Sequence, residues 1–424
     1  MQELLTLLEK GKSPYHAVAQ EAIRLREAGF EELAYGKEWK LEAGGRYFVR
    51  PYASMLLILV IPKSVSIDTR IRMAVAHTDF PCFKVKPKAD MTNKGYMQLN
   101  IEPYGGMLKN TWFDRPLGIY GKVILESEDA FAPEVCMWQS EKPVAVIPSL
   151  APHLDRGNGE KKEYDMQQEL IPVIGMLEEQ LSKDDFLMKY LADGLGVARE
   201  SILDYDLYIT NMDSPAYVGM QDEFICSPRI DNLASVSAIV EAMIQSKDSK
   251  KLLIGGMFDH EEIGSRSKQG ADSTLLFNIV KKAAVALCIE DGQLQDMLSN
   301  GFLLSVDGAQ ATHPNYSNKS DPTNDVIPGK GIVIKTSASQ RYLSDSESTA
   351  VIESLCRRHN IPCQRQVNRS GMPGGQTLGP IAISYLPMHG ADIGIPMLAM
   401  HSARELASPQ DYQTLRTFLT TYFA

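Results

Sequence analysis

Met257-Phe258-Asp259-His260-Glu261-Glu262-Ile263-Gly264-Ser265 is the stretch on which the reading of this chain turns. Just upstream, Leu252, Leu253 and Ile254 form a short apolar run typical of a buried strand, so the two glutamates stand where a strand ends. Adjacent side chains on an extended backbone point to opposite sides. One carboxylate can then hold a metal ion while its neighbour stays available to take a proton from water. Metal-assisted hydrolysis requires that division of labour. A Glu-Glu pair is equally at home in a solvated acidic loop, so its weight depends on what accompanies it.

Three other apolar runs end in the same manner. Arg72–Ala76 leads into His77, Phe302–Val306 into Asp307, and Pro396–Met400 into His401. Asp231 lies in Pro228-Arg229-Ile230-Asp231-Asn232, immediately ahead of a helix predicted over Asn232–Gln245. In open α/β sheets, ligands gather at the carboxyl ends of strands. Two histidines and three carboxylates (Asp231, Glu262, Asp307) suit a pair of borderline divalent ions, with one carboxylate bridging. Taken singly, each residue has an ordinary alternative. His77 could be a satisfied core histidine, Asp231 a helix N-cap, Asp307 the start of a turn with Gly308, and His401 a helix-terminus residue. The recurrence of ligand types at four strand ends favours a metallohydrolase.

The surrounding pattern is that of an α/β protein with a mostly parallel sheet covered by helices. Ser54–Ile61 reads as a buried strand, and Gly331–Lys335 and Cys363–Val367 read as strands with a helix over Ser346–His359 between them. Near the start, Ser13-Pro14 marks a helix N-terminus and Gly29 a stop. Between about 87 and 226 the texture changes to short β-like pieces and turns, with a polar stretch over 155–165 and a helix beginning near Ser182 with Asp185 as a capping residue. The expected organisation is a discontinuous catalytic domain, 1–86 with 227–424, interrupted by a mixed α/β domain at 87–226.

Bulk properties exclude several classes. The formal charge of -10, from 43 Lys and Arg against 53 Asp and Glu, argues against nucleic acid and anionic membranes as partners. Six scattered cysteines with no CxxC pair read as reduced thiols rather than a disulfide framework. The first residues carry no basic region followed by an apolar run, and no stretch has the length of a membrane-spanning helix. The cytoplasm is the expected compartment.

The motifs are specific enough to name a family. The chain resembles the aspartyl aminopeptidase family of dinuclear metallopeptidases, nearly end to end. The resemblance is carried by SPYHAVAQEAIRLREAGFEEL at 13–33, AHTDFPCFKVKP at 76–87, YGG at 104–106 with TWFDRPL at 111–117, and SPRIDNL at 227–233. It continues in FDHEEIGSRSKQGADS at 258–273, SVDGAQATHPNY at 305–316, GIVIKTSASQRY at 331–342, GGQTLGPI at 374–381 and DIGIPMLAMHSARE at 392–405.

The resemblance implies a zinc-peptidase-like catalytic domain with an inserted dimerisation domain, and a homo-oligomer built from dimers. It implies two divalent ions per subunit, zinc foremost, with cobalt and manganese suited to the same ligands. His77 and Asp307 would hold one ion, Glu262 and His401 the other, and Asp231 would bridge. Glu261 would be the general base acting on water, and Asp79 would orient the His77 ring. The substrates would be peptides with a free N-terminus, the family's usual choice being Asp or Glu, with Lys335 meeting the acidic side chain. Departures from the family pattern at Asn110, Pro116, Gln310, Gly371 and Gln376 bear on that preference while sparing the ligands and the base. A neutral-residue aminopeptidase, a dinuclear deacylase and a lapsed member kept for assembly are the alternatives.

Overall fold

A computed structural model of the chain describes residues 1–66, 68–154, 163–177, 185–246, 250–372 and 374–424. The chain divides into two compact units. The first comprises Met1–Asp79, Pro215–Met400 and Glu405–Ala424, and the second Phe80–Ser214 with His401–Arg404.

Among the described residues, the first unit is built on a nine-stranded sheet. Its strands run in the spatial order Glu31–Leu33, Arg46–Val49, Leu56–Val60, Leu252–Phe258, Ile71–His77, Phe302–Val306, His389–Gly394, Ile332–Lys335 and Cys363–Gln366. The four central strands, from Leu252–Phe258 to His389–Gly394, are mutually parallel. Leu56–Val60 and Ile332–Lys335 flank them antiparallel. Central strands covered on both faces read as unbroken apolar runs, and Leu56–Val60 and Leu252–Phe258 are buried at every position.

One face of the sheet (Leu57, Leu59, Met73, Val75, Ile254, Leu303) packs into a core shared with Leu276, Ile279, Val280 and Met297 from the helices Leu275–Ala286 and Asp291–Ser299. Truncating one such leucine to alanine costs about 2–5 kcal/mol. Against the other face lies the helix Ile230–Gln245, buried over most of its length, polar Asn232, Ser235 and Ser237 included. It can approach closely because Gly255 has no side chain: a Cβ there would stand 3.3 Å from Ile239 Cγ2. The C-terminal helix Pro409–Phe423 is anchored by Tyr422, whose hydroxyl donates to the Phe302 carbonyl at 2.6 Å. Helix Pro14–Glu27 starts as expected, with the Ser13 hydroxyl accepting the His16 amide and proline in the first turn.

The last expected strand differs. Only Pro396–Leu398 is extended, and it belongs to a separate five-stranded sheet with Ala309–Gln310, Glu405–Ala407, Phe224–Ser227 and Ala216–Val218. Ala399 and His401 adopt left-handed backbone conformations, which end the strand before His401 is reached.

In the second unit the described residues contain a six-stranded sheet whose pairings are all antiparallel, in the order Glu134–Gln139, Leu117–Leu125, Ile202–Asn211, Cys82–Asn93, Tyr96–Tyr104 and Val173–Met176. The units part at 79/80 and 214/215, whereas the sequence suggests 86/87 and 226/227. Pairing explains the difference. Cys82–Asn93 joins its ladder to Tyr96–Tyr104 and Ile202–Asn211, while Phe224–Ser227 joins Glu405–Ala407 in the first unit. A described helix runs over Phe186–Leu195; the expected start near Ser182 and most of the polar stretch over 155–165 lie outside the described residues. Asp185 does not cap this helix through its side chain; its carboxylate pairs with the Arg199 guanidinium at 2.6 and 2.7 Å.

Candidate metal centre

The parallel strands deliver their carboxyl ends to one place. His77 is the last residue of its strand and stands opposite Phe258. The ring is buried. Nδ1 lies 3.0 Å from the Asp79 carbonyl, to which it donates, and Nε2 faces Asp307 Oδ1 at 3.3 Å and Asp231 Oδ1 at 3.6 Å. Holding the proton on Nδ1 frees the Nε2 lone pair for an ion. Burial opposes charge on this ring, but hydrogen bonding to Asp307 and Asp79 holds its pKa well above the ordinary imidazole value.

The glutamate pair is not extended, contrary to the reading from strand alternation. After Phe258 the buried Asp259 is followed by His260 with φ of 64°, and the chain turns into a 3₁₀ turn over Glu261–Ile263 that closes at Gly264 with φ of 95°. A 3₁₀ turn has three residues per turn, so neighbouring side chains diverge without facing opposite ways. Both glutamates therefore offer an oxygen to a group that includes His77, with all atoms within 4.8 Å of one another. Asp79 fixes this turn. Its Oδ1 accepts the Glu261 amide and its Oδ2 the Glu262 amide, each at 3.1 Å. The Asp79 carboxylate lies 3.5 Å from His77 Nδ1, so the ring is held mainly by the backbone carbonyl and the turn by the side chain. Burial, reinforced by Asp307, Asp79 and Asp231, raises the Glu261 pKa to about 8 against the pull of His77. Burial, with Asp231 and Glu261, also raises Glu262 well above the usual carboxylate range.

Asp231 interrupts the first turn of Ile230–Gln245 with non-helical φ and ψ, and its peptide bond to Asn232 is cis. Its amide donates to Glu405 Oε2 at 2.9 Å, and Asn232 Nδ2 donates to the Val306 carbonyl at 2.8 Å, tying the helix start to the Asp307 strand. The carboxylate faces His77 Nε2 rather than capping the helix. Asp307 follows directly on Phe302–Val306. Burial would raise its pKa, yet Lys335 and His77 hold it well below the carboxylate range. Lys335 is almost wholly buried, and its ammonium meets Gly308 O at 2.9 Å, with Asp307 O and Oδ2 each at 3.3 Å. Three ammonium protons thus face three backbone and carboxylate oxygens, a different engagement from the substrate contact implied by the resemblance.

His77, Asp79, Asp231, Glu261, Glu262 and Asp307 are therefore gathered within the first unit. His401 falls in the second, where its carbonyl accepts the Leu108 amide at 3.0 Å and Nδ1 donates to the Gly106 carbonyl at 2.8 Å. Glu405, holding the Asp231 amide, escaped the sequence reading. It is a single acid 174 positions from its partner, with no local spacing to flag it.

The donor set fits a divalent ion. One imidazole nitrogen and the carboxylate oxygens of Asp231 and Asp307 lie within 4.8 Å of one another, as do those of His77, Glu261 and Glu262. Imidazole with carboxylates is a zinc donor set. Four carboxylates around one imidazole and one ammonium leave an excess of buried negative charge, which a low-dielectric interior penalises and a divalent cation offsets.

Comparison with known proteins agrees with this chemistry. The family model described as Aminopeptidase I zinc metalloprotease (M18) matches residues 7–423. A probable M18 family aminopeptidase 2 of Clostridium novyi (strain NT) is 38% identical over 425 residues, covering 99% of this chain and 98% of that protein. Among solved structures, one of the Ape4 and Nbr1 complex by cryo-EM superposes with a TM-score of 0.95 at 31% identity, over 100% of this chain and 85% of that one. The crystal structure of prApe1 gives 0.92 at 26% identity, over 100% and 93%.

Proposed function

Since the chain belongs to the M18 aminopeptidase I zinc metalloprotease family, the aspartyl aminopeptidases, and is a metalloaminopeptidase, we propose that it releases acidic residues from the free N-terminus of peptides, with Glu261 carrying the proton. The observation that carries the proposal is the gathering of His77, Asp231, Glu261, Glu262 and Asp307 around the carboxyl ends of the central parallel strands of one sheet.

We assign two zinc ions per subunit. His77 and Asp307 would hold one and Glu262 would help to hold the other, with Asp231 available to either. Zinc in such a site acidifies water and polarises a carbonyl oxygen. Glu261 takes the proton of the attacking water and returns it to the leaving amine. Asp79 keeps the Glu261–Ile263 turn aimed at the site through two amide hydrogen bonds. Asp231 is steadied by Glu405, and Asn232 by the Val306 carbonyl.

A cavity of about 310 Å³ is lined in part by residues 310–313, which follow Asp307 in the chain. Lys319 and Arg369 on its lining support an acidic side chain in the substrate. Met372, Met397, Leu398 and Met400 also line it, and together with the engagement of Lys335 they favour a second reading, a neutral-residue aminopeptidase. We place the enzyme in the cytoplasm, where its six unbridged thiols suit a reducing compartment. We also propose a homo-oligomer built from dimers through the second unit, where Phe131, Val135, Met137 and Leu203 are exposed apolar side chains.

The test is release of the first residue from peptides beginning with Asp, Glu, Leu or Lys, in zinc, with N-acetylated peptides as controls. Release of Asp and Glu alone supports the acidic reading. Release of Leu in preference supports the second, and cleavage of acetylated peptides overturns both.

A further inference from the structure

We propose that Cys356 and Cys363 are a reversible thiol–disulfide pair, a modification site that hydroperoxides oxidise and small dithiols restore.

Cys356 stands in the last turn of the helix Ser346–Arg358, and Cys363 opens Cys363–Gln366, the strand that ends the nine-stranded sheet. The chain reverses between them. Asn360 takes a left-handed conformation just past the helix, and the Ile361 amide donates to the Cys356 carbonyl at 2.8 Å. The returning strand lies against the helix in a definite register. One rung of the contact is an ion pair, with Arg365 Nε donating to Glu353 Oε1 at 2.7 Å. The next rung is the cysteine pair. Cys356 lies three positions beyond Glu353 on the same helix face, and Cys363 two positions before Arg365 on the same strand face. The thiols meet in that register, the Cys356 S–H donating to the Cys363 sulfur. The bridge would join two elements that both line a cavity of about 640 Å³, the helix through Ser346 and Thr349 and the strand through Arg365.

The two sulfurs are not equivalent. Cys356 is 2% exposed, whereas Cys363 is half-buried and open to a small oxidant. The hydrogen bond from Cys356, helped by Arg365 and Arg357 against burial and Glu353, brings the Cys363 thiol down to about 7. The same bond, with burial, pushes Cys356 up. Cys363 is thus the thiolate that attacks and Cys356 the thiol that resolves. The Cys363 sulfur takes one oxygen of the hydroperoxide as the O–O bond breaks; the other oxygen leaves as water or an alcohol after gaining a proton, and Cys363 becomes a sulfenic acid. Cys356 then attacks that sulfur. An S–S bond forms, the S–OH bond breaks, and the hydroxide leaves as water with the Cys356 proton. Two thiols have lost two electrons and two protons, and the peroxide has gained them. A dithiol reverses the step through a mixed disulfide and is itself oxidised.

The experiment treats the reduced, zinc-loaded full chain with hydrogen peroxide, unfolds it in urea with iodoacetamide, and digests it with trypsin. Cleavage after Arg357 and Arg358 leaves the two cysteines on separate peptides that only the disulfide joins. Expected is a joined peptide two hydrogens lighter than its free parts, formed while the exposed Cys288 is still alkylated, and abolished by dithiothreitol. In Cys356→Ser, dimedone should label Cys363, whose sulfenic acid has no thiol to resolve it. In Cys363→Ser, Cys356 should remain alkylated after the same peroxide treatment. Absence of the joined peptide from wild type, whether Cys363 stays alkylated or passes on to a sulfinic acid, would overturn the inference. So would oxidation of Cys288 ahead of the pair.

Discussion

Asp79→Asn probes the way the fold aims its glutamates. Asp79 is fully buried, and each of its oxygens accepts one amide, from Glu261 and from Glu262. Asparagine is nearly isosteric but keeps one acceptor oxygen and turns an NH₂ group toward the other amide. An unsatisfied buried amide costs about 1–3 kcal/mol, and losing the charge on the remaining bond adds about 1 kcal/mol. A second effect opposes this. The Asp79 charge is among those that raise the Glu261, Glu262 and Asp259 pKa values, so removing it relieves repulsion in the absence of metal. Zinc offsets that repulsion, which leaves the hydrogen-bond loss as the larger effect in the loaded protein. Urea unfolding of loaded Asp79→Asn is expected to show a loss of about 2–4 kcal/mol, and the stripped protein a smaller one. With the turn loosened, kcat should fall on the order of 100-fold. A wild-type urea midpoint in the loaded variant, with kcat within threefold, would refute the role given to Asp79.

Glu261→Gln should retain the wild-type zinc content by elemental analysis while kcat falls by about 10²–10⁴-fold, the usual contribution of a positioned acid–base group; near-native turnover would remove Glu261 from proton transfer. The His16 ring, against the Ser13 hydroxyl at 2.7 Å, is pushed by burial down to about 4, so the folded chain resists a proton that the unfolded chain accepts below about 6.5. Stability is therefore full at neutral pH and falls as pH drops through that window. By pH 4.5 the loss reaches about 2–3 kcal/mol. Urea midpoints at pH 7 and pH 4.5 should converge in His16→Gln relative to wild type; an unchanged difference would show that another group carries the effect.

Much of the catalytic unit was legible because its signals are local. An apolar run followed by a ligand-type residue describes the strands ending at His77, Phe258 and Val306 without any knowledge of what lies across space. Gly255 and the buried helix Ile230–Gln245 agree with that pattern. Where the reading failed, backbone conformation or distant partners decided. Left-handed His260 turned an expected extended Glu261-Glu262 pair into a 3₁₀ turn, and left-handed Ala399 and His401 ended a strand two residues early. Asp79 meets amides 182 and 183 positions away, and Lys335 meets oxygens 27 and 28 positions back. Neither contact has a spacing that sequence can display. The boundary at 79/80 was obscured because Cys82–Asn93 continues, with little change of composition, from a catalytic motif into the sheet of the second unit.

The most direct measurement is anomalous diffraction at the zinc edge from crystals of the loaded protein. Expected are two peaks per subunit, one within about 2.0–2.2 Å of His77 Nε2 and an Asp307 oxygen, and both within that distance of Asp231. Zinc bound elsewhere, with His77, Asp231 and Asp307 unligated in crystals of active enzyme, would contradict the assignment of the centre.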